Sequence, residues 1–255
     1  MEISFFHVGL ATCLIRINES IKIAIDPSLC PQGEVVSFKS FDSKRMRSPT
    51  YDDGTFKDIK LWLITHMHAD HCDSFGIKKI DKDIPVVFHP NYTDSFKGYN
   101  QNPLSWGQSK KFLFDDCAVT IIAVPAYHGN NLLMRKLAGA VNGYIVEIQN
   151  QESTFTIYFT SDTVYHKDVV DFLTAAYPKI DLTVANLGEV SNNKFGGPLT
   201  MSAPMLDKYR QTLNLGLVIP VHIDDMSHYQ TNPSDLKKFG FEILPVGQWH
   251  TVYSV

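Results

Sequence analysis

With 255 residues, 44% of them hydrophobic and 20% charged, the chain can bury a substantial core, and its composition excludes disorder and fibrous repeats. A formal net charge of −4 leaves no basic surplus to neutralise a phosphate backbone, so extended nucleic-acid binding is not expected. The longest apolar stretches, such as 120–126 and 215–221, fall far short of the roughly 20 residues of a membrane-spanning helix.

Residues 3–6, 12–17 and 21–25 read as strands, with Asn18-Glu19-Ser20 as a hairpin turn and Asp26-Pro27 closing the third run, so the chain opens with a β-meander. The start of the chain carries Glu2 where a secretory signal carries basic charge, and Cys13, Cys30, Cys72 and Cys117 include no CxxC pair. A cytoplasmic protein with reduced thiols is the expectation. Residues 30–60 mix Pro31, Gly33, Lys44, Arg45, Arg47, Pro49 and Gly54 without periodicity, the mark of a long loop.

Residues 61–65 form a buried-type strand, 74–79 a short helix and 86–89 the next strand. A second β-rich stretch covers 119–125, 143–149 and 154–160, followed by a helix over 166–176 and a strand over 182–185. Met201, Met205, Leu206, Tyr209 and Leu213 recur at near-helical spacing ahead of a buried strand at 217–221. Two groups of strands with outer helices, and no Pro/Gly/Ser-rich break, predict one α/β domain over 1–255.

The run Leu61-Trp62-Leu63-Ile64-Thr65-His66-Met67-His68-Ala69-Asp70-His71 places four potential ligands within six residues, straight after a hydrophobic strand. In extended backbone, residues two apart share a side, so His66 and His68 converge on one ion. Asp70 and His71 follow where the chain is expected to turn into a helix and to face a second ion. Imidazole nitrogen and carboxylate oxygen suit zinc, and manganese or iron accepts similar ligands. A lone histidine usually reads as a surface or hydrogen-bonded core residue; HxHxDH after a buried strand does not.

His66-Met67-His68-Ala69-Asp70-His71 resembles the HxHxDH signature of the metallo-β-lactamase superfamily, and the resemblance runs along nearly the whole chain. Residues 8–15 and Ile23-Ala24-Ile25-Asp26-Pro27 look like its opening strands, although Leu10 stands between Gly9 and Ala11 where the family often reads GHA. Val124-Pro125-Ala126-Tyr127-His128-Gly129, Tyr158-Phe159-Thr160-Ser161-Asp162-Thr163 and Ile219-Pro220-Val221-His222 are similar to its later metal motifs. The resemblance implies a four-layer αββα sandwich and two metal ions. His66, His68 and His128 would hold one ion and Asp70, His71 and His222 the other, with Asp162 between them. His68 stands where flavodiiron-like relatives need a carboxylate, which favours hydrolysis, and Cys72 lies outside the ligand pattern of true zinc β-lactamases. Thr200-Met201-Ser202-Ala203-Pro204-Met205 looks like the ascorbate-6-phosphate lactonase-like and phospholipase D-like branches.

A dinuclear centre would lower the pKa of a bridging water from 15.7 toward roughly 7 and generate hydroxide at neutral pH. Asp70 is then the catalytic candidate, a proton acceptor as well as a ligand, and His228 or His250 a candidate proton donor to the leaving group. Lys44, Arg45, Arg47, Arg135 and Lys136 read as solvated surface or as contacts for an anionic substrate; Trp62, Trp106 and Trp249 read as core or rim. The function expected is hydrolysis of a small lactone, ester or phosphate-bearing metabolite. A phosphodiesterase acting on nucleotide or phospholipid is the alternative, and a non-catalytic metal-binding protein a third reading.

Overall fold

A computed structural model describes residues 1–38, 41–192 and 196–254. The chain divides into two compact units, one of Met1–Leu104, Asp225–His228 and Leu244–Val255, the other of Ser105–Asp224 and Tyr229–Ile243.

In the first unit the described residues form a seven-stranded sheet, in the order Trp249–Ser254, Glu2–Gly9, Thr12–Ile17, Ile21–Ile25, Ile59–Leu63, Pro85–Phe88 and Asn100–Pro103. The first four strands pair antiparallel and the rest join in parallel. The expected meander is present, and Asn18 and Glu19 turn it with φ of 46° and 64°, the left-handed backbone whose twist suits a tight hairpin. Phe6, Val8, Leu14, Ala24, Trp62, Ile64, Val86 and Phe88 pack into one apolar cluster. The long loop between Ile25 and Ile59 is not wholly irregular: Val35–Ser37 pairs with Asp42–Lys44 in a short hairpin.

In the second unit a six-stranded sheet runs Leu215–Val221, Ile180–Asn186, Thr154–Phe159, Asn142–Gln149, Ala118–Pro125 and Ser109–Leu113 among the described residues. The first three strands are parallel, the others antiparallel. The helix Lys167–Ala176 contributes Val169, Val170 and Leu173 to the core, and Ala203–Thr212 contributes Ala203, Leu206 and Tyr209. These are the helices expected from periodicity. Two further short helices, Leu132–Ala138 and Pro233–Lys238, were not expected; each begins at an asparagine whose side chain caps it. No helix among the described residues is long and apolar enough to cross a membrane.

The helix expected over 74–79 shrinks to one 3₁₀ turn, Ile77–Lys79. The preceding residues are instead clamped to the end of the third strand. Asp73 N–H donates to the Pro27 carbonyl at 3.1 Å, and the Asp73 carboxylate accepts the N–H groups of Cys30, Phe75 and Gly76 at 2.6, 2.9 and 2.6 Å. Gly76 is required by close approach, since a Cβ there would lie 1.9 Å from the Pro27 oxygen. Gly76→Ala should therefore destabilise the protein by about 1–3 kcal/mol, as overpacking does. At this chain length the melting midpoint should fall by roughly 2–4 °C for each kcal/mol, read by scanning calorimetry; an unchanged midpoint would show that the clamp yields.

Candidate metal centre

His66, His68, Asp70 and His71 follow the strand Ile59–Leu63 in the first unit. The chain does not enter a helix here as expected. It makes a tight turn in which the N–H groups of His71 and Cys72 both donate to the His68 carbonyl, at 2.9 and 2.8 Å. The turn gathers the imidazoles: the ring centroid of His66 lies 4.6 Å from that of His68 and 4.0 Å from that of His71. His66, Asp70 and His71 are buried and His68 is half-buried.

Asp26, 1% exposed at the end of the third strand, holds this turn. Its Oδ1 accepts the Thr65 N–H at 2.7 Å, while Oδ2 accepts the Thr65 hydroxyl at 2.6 Å and meets His71 Nδ1 at 2.7 Å. A carboxylate on Nδ1 selects the tautomer protonated there, which leaves Nε2 as the ligating atom. Burial pushes the Cys72 thiol well up, with Asp26 and Asp73 adding to the shift. Cys72 is not among the groups gathered with Asp70 and His71 in the described residues.

In the second unit each candidate follows a strand. His128 comes after Ala118–Pro125, Asp162 after Thr154–Phe159 and His222 after Leu215–Val221, and all three are buried. His128 Nδ1 donates to the Leu199 carbonyl at 2.9 Å, which turns Nε2 toward Asp162 Oδ2, 3.6 Å away. The other carboxylate oxygen, Oδ1, lies 3.8 Å from His222 Nδ1 and accepts the Asn186 side-chain N–H at 3.2 Å. One carboxylate thus shows a separate oxygen to each of two histidines. Ser161 and His222 adopt left-handed backbone, with φ of 56° and 66°, a conformation concentrated at functional sites.

His228 is not a surface residue. Its side chain is 16% exposed, Nδ1 meets Ser43 Oγ at 2.7 Å, Nε2 lies 4.0 Å from Asp70 Oδ2, and Phe38 and Phe41 lean on the ring. His250 lies on the last strand with Nε2 against the Pro245 carbonyl at 2.9 Å. Arg45 departs from the solvated-surface reading: it is fully buried, with Nε donating to the Arg47 carbonyl at 2.7 Å, whereas Lys44 and Arg47 are exposed. Leu10, the departure from GHA, has φ of 52° and donates its N–H to Asp225 at 2.6 Å. Trp62 is core, and Trp106 and Trp249 are rim residues, Trp249 beneath the Arg16 guanidinium. Asp26, Asp73 and Asn186 were missed as contributors. Of these, only Asp26 left a trace in the sequence, at the end of a recognised strand motif.

The chain matches the Beta-lactamase superfamily domain over residues 22–223. It is 28% identical over 226 residues to a UPF0173 metal-dependent hydrolase of Pyrococcus abyssi, covering 87% of this chain and 86% of that one. Among solved structures it is similar to a possible metal-dependent hydrolase from Veillonella parvula, with a TM-score of 0.82, 20% identity and coverage of 98% and 100% of the two chains. It is also similar to the isothiocyanate hydrolase from Delia radicum gut bacteria, with a TM-score of 0.79, 19% identity and coverage of 97% and 98%. Turn, strand ends and matched span agree: with its α/β architecture and metallo-β-lactamase fold, this chain belongs to the Beta-lactamase superfamily domain family.

Proposed function

We propose that the chain is a metal-dependent hydrolase, acting as one domain over residues 1–255, with a dinuclear centre. In this reading His66, His68 and His128 hold one ion and Asp70, His71 and His222 the other, with Asp162 shared between them. The observation that carries the reading is Asp162, whose Oδ2 faces His128 and whose Oδ1 faces His222. A carboxylate serving one ion would have no reason to divide its oxygens between two imidazoles. The nitrogen-and-oxygen donor set suits zinc. Relatives that carry the name metal-dependent hydrolase support the enzymatic reading.

Bound divalent ions would supply an acidified water and a Lewis acid for a carbonyl or phosphoryl oxygen. The protein's own work is to aim donors and move protons. Asp26 and the Leu199 carbonyl keep protons on Nδ1 of His71 and His128, so that both rings offer Nε2. Asp70 is the acceptor for the proton of the attacking water, and His228, 4.0 Å from its Oδ2, is the group set to serve the leaving atom. The substrate class proposed is a small lactone, ester or phosphate-bearing metabolite. Four buried thiols, with no disulfide among the described residues, fit a cytoplasmic protein.

Protein from metal-replete culture should carry about two transition-metal ions per chain by elemental analysis. His66→Ala combined with His68→Ala should empty the centre and abolish hydrolysis, and a wild-type content near zero would overturn the reading. On a panel of lactones, esters and bis(p-nitrophenyl) phosphate, turnover of lactones or esters is expected. Metal-dependent cleavage of the phosphate diester alone would make the protein a phosphodiesterase instead.

Asp26→Asn should lower metal affinity by about 10–100-fold in a chelator competition assay, because His71 loses its orienting carboxylate. Asp26→Ala should also remove the acceptor of the buried Thr65 N–H, costing about 1–3 kcal/mol in urea denaturation. Wild-type affinity and stability in both variants would remove Asp26 from the account.

A further inference from the structure

Tyr229 lies seven residues beyond His222, and its phenol oxygen is 2.5 Å from His222 Nε2. The two rings overlap, with centroids 4.3 Å apart and planes inclined by 35°. Tyr229 is half-buried while His222 is fully buried. The other imidazole nitrogen, Nδ1, is the one that faces Asp162, at 3.8 Å from Oδ1. On the backbone side that nitrogen is close to Gly188, where a Cβ would come within 3.0 Å of it. The ring is therefore fixed from three directions.

An imidazole has two nitrogens, and a neutral ring carries its proton on one of them. We infer that Tyr229 is the positioning residue for His222: the phenol oxygen accepts the Nε2–H, and Nδ1 is the atom offered to the metal. This rests on the dinuclear reading above and deepens it. His71 and His128 are held the opposite way, with Nδ1 committed to Asp26 and to the Leu199 carbonyl and Nε2 facing away. His71 would thus offer the second ion Nε2, backed by a carboxylate, and His222 would offer Nδ1, backed by a phenol. A phenol is the weaker acceptor, so it raises the basicity of its imidazole less than a carboxylate does, and His222 is the softer hold of the pair.

The test uses the full chain, stripped of metal and titrated with zinc by calorimetry, alongside long-range proton–nitrogen correlation spectra of the zinc-loaded protein with labelled histidines. Wild type should show two binding steps and His222 in the Nε2-protonated form. Tyr229→Phe keeps the ring stack and should weaken the second step alone by about 10–100-fold. An Nδ1-protonated His222, or a Tyr229→Phe protein whose second step is unchanged, overturns the inference and leaves the dinuclear reading standing. The spectrum of the wild type decides the matter even if the variant folds poorly. A wild type that takes no second ion overturns both.

Discussion

A single buried carboxylate, Asp26, conditions the chemistry of the first unit. A carboxyl out of water is tolerated only when its oxygens are hydrogen-bonded, and Asp26 meets that demand with Thr65 and His71. The Asp26 N–H in turn donates to the Leu63 carbonyl, at 3.0 Å, so the ends of two neighbouring parallel strands are tied together where the ligand run begins. The histidine-rich turn is thereby set on a rigid sheet rather than on a loose loop. Preorganisation of this kind keeps the donors near binding geometry before any cation arrives.

The second unit solves the same problem with neutral groups. A backbone carbonyl holds His128, a side-chain amide steadies Asp162, and a phenol meets His222. The carbonyl and the phenol orient their imidazoles, and the amide donates to Asp162, without adding a negative charge to a region that already contains that carboxylate. Sheets in both units place their chemistry just beyond strand ends, where the backbone leaves the ladder and side chains can turn inward. The superfamily membership of the chain and the arrangement of its strand ends are thus two expressions of one constraint.

What could be read from the sequence was what burial and density make visible. Strands 21–25 and 217–221 announce themselves as apolar runs, although Leu217 is exposed in the strand expected to be buried, and HxHxDH concentrates donors too tightly to be accidental. His128, Asp162 and His222 became legible only through the strand motifs that precede them. The helix expected over 74–79 is cut to one turn because Asp73 offers its carboxylate to the N–H groups of Phe75 and Gly76, a local alternative that competes with helical bonding. The hairpin Val35–Ser37 with Asp42–Lys44 lacks an apolar face, and the strand Trp249–Ser254 is defined by pairing with Glu2–Gly9 at the other end of the chain. The helix Leu132–Ala138 exposes Leu132, Leu133 and Leu137, which hides any amphipathic period. Arg45 looked like a surface cation because nothing local reveals that tertiary packing encloses it. Tyr229 carried no signal at all, since its role exists only relative to a histidine on the preceding strand end.

The division of one carboxylate between two histidines is the feature on which the dinuclear account turns. Anomalous diffraction from crystals of the metal-loaded protein tests it directly. The account predicts two separate anomalous peaks, one beside Asp162 Oδ2 and His128, the other beside Asp162 Oδ1 and His222. A single peak, or two peaks with Asp162 bound to neither, would contradict it.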